Sequence, residues 1–246
     1  MSPLLSLRNL ALTRGRTPVL ADISFDVRPG EFTALIGPSG AGKSSIFELL
    51  LGNLAPEAGQ ITLQGAPQDA AFAYMPQRDA LMPWRRIIDN VGLGLEVQGM
   101  SRRAARAAVA PLFPRFGLEG FERHWPAQLS GGMRQRAALA RTLVQDRPLL
   151  LLDEPFGALD ALTRTGMQQW LEARLAETRT TALLITHDIR EAICLADRIH
   201  VLSPRPAQIL ASFDVTLPRP RLGRPLPAEA HALEARITDV LAGIPG

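Results

Sequence analysis

The loop Gly37-Pro-Ser-Gly-Ala-Gly-Lys-Ser44 holds the only lysine of a 246-residue chain that carries 27 basic residues in all. Arginine has replaced lysine everywhere else, so position 43 retains a property that arginine lacks. A lysine head is a compact point charge on a flexible stem, whereas a guanidinium is planar and wide. The spacing fits G-x-x-x-x-G-K-[ST], in which glycines turn consecutive backbone N–H groups inward around phosphate oxygens. A helix starting at the end of such a loop adds the positive end of its dipole. Gly37, Pro38, Ser39, Gly40, Ala41, Gly42, Lys43, Ser44 and Ser45 are therefore candidate phosphate-holding residues. Lys43 would bridge β- and γ-phosphates, and the Ser44 hydroxyl would ligate Mg²⁺.

Two further groups carry chemistry. Leu149-Leu-Leu-Leu-Asp-Glu-Pro155 is an apolar run ending in two acids. Burial of the leucines would fix the strand end, leaving Asp153 to hold Mg²⁺ through its water shell and Glu154 to orient an attacking water. Leu129-Ser-Gly-Gly-Met-Arg-Gln-Arg136 sets Ser130, Gly131 and Gly132 at a helix start, which makes a second anion site from free N–H groups and dipole.

These residues need particular elements to position them. Residues 32–36 read as a buried strand running into the glycine loop, and residues 44–51 as the helix that follows, ended by Gly52. Residues 4–12 and 18–27 read as alternating strands around a Gly15/Pro18 turn, with further strands at 59–63 and 71–75. From 81 to 145 the pattern becomes helical, with an Ala/Arg-rich helix over 102–116 and another over 132–145. Alternation returns afterwards: strand 149–152, helix 161–177, strand 181–185, helix 189–196, strand 198–202. Strands alternating with helices predict an α/β fold with a mostly parallel sheet. The segment 213–227, with Pro218, Arg219, Pro220, Arg221, Pro225 and Pro227, reads as a linker before a short helix over 229–241.

Composition narrows the classes. The net charge of +3 is interspersed along the chain, so the basic balance is not read as a nucleic-acid face. One cysteine, Cys194, forms no internal disulfide and no metal cluster, and reads as a small core residue in a reducing compartment. The apolar stretch Leu4, Leu5, Leu7 is cut by Arg8 below signal length. No run approaches the roughly 18 apolar residues that span a bilayer, so a peripheral membrane role is expected.

Taken together, the loop 37–44, Asp153-Glu154 and LSGGMRQR resemble the nucleotide-binding subunit of an ATP-binding cassette (ABC) transporter, over about residues 4–212. The resemblance implies a P-loop NTPase fold of the ABC ATPase type. It would be a single domain in which 1–80 and 146–212 form the core with antiparallel N-terminal strands, and 81–145 an inserted helical subdomain. It implies ATP and Mg²⁺ as cofactors. Gln77, in Tyr74-Met-Pro-Gln77, matches the glutamine that contacts Mg²⁺ and the attacking water. His187, in Leu183-Leu-Ile-Thr-His-Asp188, matches the histidine that contacts the γ-phosphate, and Asp160 matches an acid that crosses to a second subunit. Ser130, Gly131 and Gly132 would close on nucleotide held by the other copy, so a homodimer is implied. So are transmembrane permease subunits, an indirect substrate-binding protein, and a place on the cytoplasmic face of the bacterial inner membrane.

One departure is that no aromatic residue lies between Met1 and Ser24 to stack on adenine, which leaves Arg14 as the candidate. The segment 82–95 is similar to importers of the nitrate, sulfonate, taurine and thiamine-precursor pyrimidine group, with Trp84 as the candidate permease contact. The rival reading, a non-transport ABC ATPase of DNA repair or ribosomes, would usually show a long coiled-coil insertion or two cassettes, and this chain has neither.

Overall fold

The computed structural model describes residues 2–65, 67–178, 180–223 and 225–243. In chain order its elements are β1 (Leu5–Arg14), β2 (Thr17–Val27), β3 (Phe32–Ile36), α1 (Lys43–Leu50), β4 (Ala58–Leu63), α2 (Gln68–Ala71) and β5 (Phe72–Met75). Five helices follow without an intervening strand: α3 (Ile87–Val91), α4 (Leu93–Val97), α5 (Arg102–Val109), α6 (Leu112–Arg115) and α7 (Gly131–Leu143). The chain then runs through β6 (Leu149–Asp153), α8 (Ala161–Thr178), β7 (Thr181–Thr186), α9 (Ile189–Leu195), β8 (Arg198–Leu202), β9 (Ile209–Asp214) and α10 (Ala228–Ala242).

The central sheet has the order β5-β6-β7-β3-β8-β9, all parallel except the β8–β9 pair. A parallel sheet is covered on both faces, which is why its strands are nearly continuous apolar runs. Along β6 the side chains divide by the two-residue period of a strand. Leu150 and Leu152 enter the core with α7, α8 and α9, whereas Leu149 and Leu151 enter the core with α1 and the separate antiparallel sheet β2-β1-β4. Each such fully buried leucine is worth about 1.5–3 kcal/mol. The central strands are thereby clamped between two cores, and their C-terminal ends become fixed points.

The expected α/β architecture, with antiparallel N-terminal strands and a helical insertion, is therefore observed. Four local expectations differ from the structure. The helix expected over 102–116 breaks after Val109, because Pro111 has no N–H to give to the carbonyl four residues back; α6 starts anew at Leu112. The last strand, β9, has no clear mark in the sequence: its inward residues Ile209, Ala211 and Phe213 alternate, but prolines on either side mask the pattern. The segment 213–227 is no solvated linker: Val215 and Arg221 are buried and the chain is bonded to α8 and α9, with position 224 outside the described residues. The terminal helix is also longer than expected, at 15 residues.

Candidate nucleotide site

Three neighbouring strands, β6, β7 and β3, end side by side, and each delivers a group of the predicted site. The loop after β3 is shaped by close approach. A Cβ on Gly37 would lie 2.9 Å from the Leu202 carbonyl oxygen, and one on Gly42 would lie 2.8 Å from Val19 Cγ1 at a φ of +104°. Only glycine fits either place. Lys43 then opens α1 and bends back, its buried Nζ donating to the carbonyls of Gly37 at 2.7 Å and Pro38 at 2.9 Å. Burial lowers its pKa, while Glu154 and Asp153 oppose the shift. The N–H groups of Gly40, Gly42, Lys43 and Ser44 take part in no hydrogen bond among the described residues. That is the chemistry of an anion cradle: free donors, a helix start, and one ammonium.

Asp153 ends β6 and is 3 % exposed. Burial raises its pKa, the Ser44 hydroxyl beside it works the other way, and the adjacent Glu154 raises it further. A buried carboxylate facing a hydroxyl and a second carboxylate is a donor set that fits a hard dication with phosphate oxygens and water completing the shell. Mg²⁺ would be held by Ser44 and Asp153, with Gln77 near.

Glu154 is where the separate predictions meet. Its backbone has φ +48°, uncommon outside glycine, and its N–H is anchored to the Ile185 carbonyl at 2.9 Å. From that position its Oε2 accepts from Gln77 Nε2 at 3.2 Å, and its Oε1 lies 3.4 Å from His187 Nδ1. Gln77 and His187 are both exposed, so the carboxylate sits at the mouth of the site between two polar arms. A carboxylate so placed can accept a proton from water while its neighbours orient the water and the phosphate.

The second anion group stands apart. Ser130 caps α7, its Oγ accepting from the Met133 N–H at 3.3 Å. Gly132 faces Leu159, and Asp160 caps the start of α8 by accepting from Thr163 N–H at 3.1 Å, which holds its carboxyl below the usual range. Ser130 and Gly131 are exposed, and none of these contacts reaches the loop 37–44.

Trp84 is 71 % exposed rather than a core tryptophan, and Cys194 is buried as expected, its thiol pushed up to about 11 by burial. Arg14 is paired with Glu48 of α1 and half-exposed. Several supporting contacts have no local signal in the sequence. Buried Gln135 of α7 donates to the Pro155 carbonyl at 3.1 Å, joining the second anion group to the β6 end. Arg134 binds Asp79 at 2.9 Å, and Arg141 donates to the Asp79 and Ala80 carbonyls, so α7 holds the segment that follows Gln77. Asn90 accepts from Met82 N–H at 2.7 Å and donates to the Arg85 carbonyl at 3.0 Å, folding the segment that bears Trp84. Each bond spans eight or more residues or joins side chain to backbone within an irregular loop, where local patterning is silent.

The chain is similar to known proteins. Residues 20–157, more than half of the chain, match the family described as ABC transporter. The taurine import ATP-binding protein TauB of Yersinia pestis is 45% identical over 196 residues, 78% of this chain and 77% of that protein. The aliphatic sulfonates import ATP-binding protein SsuB 1 of Rhodococcus jostii is 47% identical over 188 residues, 76% and 74% of the two chains. The formylaminopyrimidine import ATP-binding protein ThiZ of Halalkalibacterium halodurans is 44% identical over 190 residues, 77% and 75%. Among solved structures, an ATP-binding cassette captured as a dimer in a post-hydrolysis state with ADP and Pi superposes with a TM-score of 0.77 at 27% identity, over 87% of this chain and 99% of that one. With a family match over more than half of its length and relatives at 44–47% identity, this chain belongs to the ABC transporter family and is one of its ATPases.

Proposed function

We propose that this chain is the ATP-hydrolysing subunit of an importer, and that it works as a closed pair of copies on the cytoplasmic face of a bacterial inner membrane. The observation that carries the reading is the convergence of Gln77 and His187 on Glu154 beside the Lys43 loop. In this reading Lys43 and the free N–H groups hold the phosphates, and Ser44, Asp153 and Gln77 hold Mg²⁺, which when bound screens phosphate charge. Glu154 takes the proton of the attacking water, with His187 beside the γ-phosphate. Ser130, Gly131 and Gly132 of the second copy complete the site. Loss of the γ-phosphate contacts would reopen the pair, and closure and reopening would drive permease subunits.

No helix among the described residues is long and apolar enough to cross a membrane. The path for solute would be supplied by those permease subunits, with Trp84 as a contact and a substrate-binding protein delivering cargo to them. The cargo class we infer is a small sulfonate, taurine-like or formylaminopyrimidine solute, on the strength of the relatives; the ATPase itself never touches it. Glu154→Gln keeps the shape and removes the base, and should lower ATPase kcat by about a hundredfold or more while nucleotide still binds. Full turnover in that variant would sink the assignment.

A further inference from the structure

Glu191 takes no part in the chemistry above, yet it is only 7 % exposed and stands directly behind the site. Its Oε2 accepts the Thr186 hydroxyl at 2.7 Å. The Asp188 N–H donates to that same hydroxyl oxygen at 3.1 Å, and the Glu191 N–H donates to Asp188 Oδ1 at 3.1 Å. The three bonds close around one residue, His187. An ordinary capping glutamate at this helix position reaches back to the N–H of the capping residue. Here the Thr186 hydroxyl has taken that N–H, and Glu191 holds Thr186 instead.

Thr186 ends β7 in register with Ile36, the residue before the glycine loop, and Ile185 pairs with Asp153. The bonded turn is therefore seated between the two other strand ends of the site, and its front is the His187 contact to Glu154. The remaining oxygen, Glu191 Oε1, is buried and has no hydrogen-bond partner among the described residues, as is true of Arg164 Nε. Both residues line a cavity of about 40 Å³ that Glu154 and His187 share.

We propose that Glu191 is a positioning residue for hydrolysis, setting through Thr186 and Asp188 the turn that holds His187 against Glu154. The inference rests on the reading of Glu154 as the base. The groups facing Glu191 are Arg164 of α8, Glu154 after β6, and Asp188 and His187 of its own turn, with Arg190, Cys194 and Arg221 across the adjoining cavity. Burial pushes its carboxyl up to about 7, Asp188 and Glu154 add to the rise, and the Thr186 bond and Arg164 oppose it. The carboxyl is neutral below that pH. Above it, ionisation sets a buried negative charge beside Asp188 and Glu154, which works against the closed turn.

The test compares Glu191→Gln, which stays neutral and keeps an acceptor for Thr186, with Glu191→Ala, using ATPase kinetics from pH 6 to 9 and thermal melting. Glu191→Ala should lower kcat about tenfold to a hundredfold with the KM for ATP little changed, the size of effect expected of a supporting partner. Glu191→Gln should keep most of kcat and lose the decline of kcat above about pH 7 that the native carboxyl causes. Wild-type kcat in Glu191→Ala would overturn the proposal. So would a Glu191→Gln variant as slow as Glu191→Ala with an unaltered pH profile, or a loss in both variants that tracks melting temperature alone. Glu154→Gln assayed alongside separates the failures: full turnover there removes the base, whereas an inactive Glu154→Gln with a normal Glu191→Ala removes only the positioning role.

Discussion

At the scale of single residues, Lys43 shows why a charge is not interchangeable with its shape. Its ammonium reaches two carbonyls of one loop, at 2.7 and 2.9 Å, from a side chain that is 6 % exposed. A guanidinium is planar and wide, and its fork does not match the single spot that the ammonium reaches. Lys43→Arg preserves the charge and should still cut ATP turnover by at least about a hundredfold, the cost of removing a preorganised donor to developing charge. Turnover by phosphate release, with nucleotide affinity measured separately, checks it; a fully active variant would mean that charge alone suffices. The same scale shows what a sequence discloses. Lys43, Ser44, Asp153 and Ser130 announce themselves because glycine spacing and an apolar run are local signals. That Gln77 and His187 meet on Glu154 is not local: Gln77 and Glu154 are 77 positions apart and touch only once β5, β6 and β7 are neighbours. Glu191 and Gln135 are ordinary polar residues inside helices, and nothing near them in the chain names their partners.

At the scale of elements, the strands were legible because burial on both faces forces continuous apolar runs, and β3 and β8 begin and end where the pattern places them. The segment after β9 reads as a linker in sequence because proline and arginine dominate its composition. Composition describes what a segment would do alone, and here Arg221 has partners. Its guanidinium donates to the carbonyls of Ile193, Val215 and Leu217 at 3.0 Å each and to that of Ala196, closing the C-terminal end of α9. Its own N–H and that of Leu222 meet the two oxygens of buried Glu172 on α8. The strap therefore locks α8 to α9, the helix that carries the His187 turn. Arg221→Ala would orphan four carbonyls and remove the guanidinium that lies 3.7 Å from Asp197, at a cost of about 3–5 kcal/mol. For a chain of this size that is a fall of roughly 6–20 °C in melting temperature. A calorimetric scan finding less than about 2 °C would show the strap to be a passenger.

At the scale of the whole molecule, the proposed function divides each phosphate site between two copies of the chain. The loop 37–44 has free donors and an ammonium at the end of β3, and α7 has an exposed, capped start at Ser130 with no contact to that loop. In the proposed reading a second copy related by two-fold symmetry brings its Ser130 end of α7 to the loop 37–44, each chain then completing the other. Mixing separates this arrangement from a site built within one chain. Lys43→Ala and Ser130→Arg chains should each be inactive alone, since in a symmetric pair both sites then lack one half. Mixed pairs hold one site with native Lys43 from one chain and native Ser130 from the other. An equimolar mixture, re-associated with ATP, should therefore regain up to about a quarter of native turnover, because half of the pairs are mixed and each carries one intact site of two. If every contact lay within one chain, no mixture of the two variants could contain an intact site, and the mixture would stay as inactive as its parts. Recovery that rises with the product of the two chain concentrations identifies the paired site as the active one.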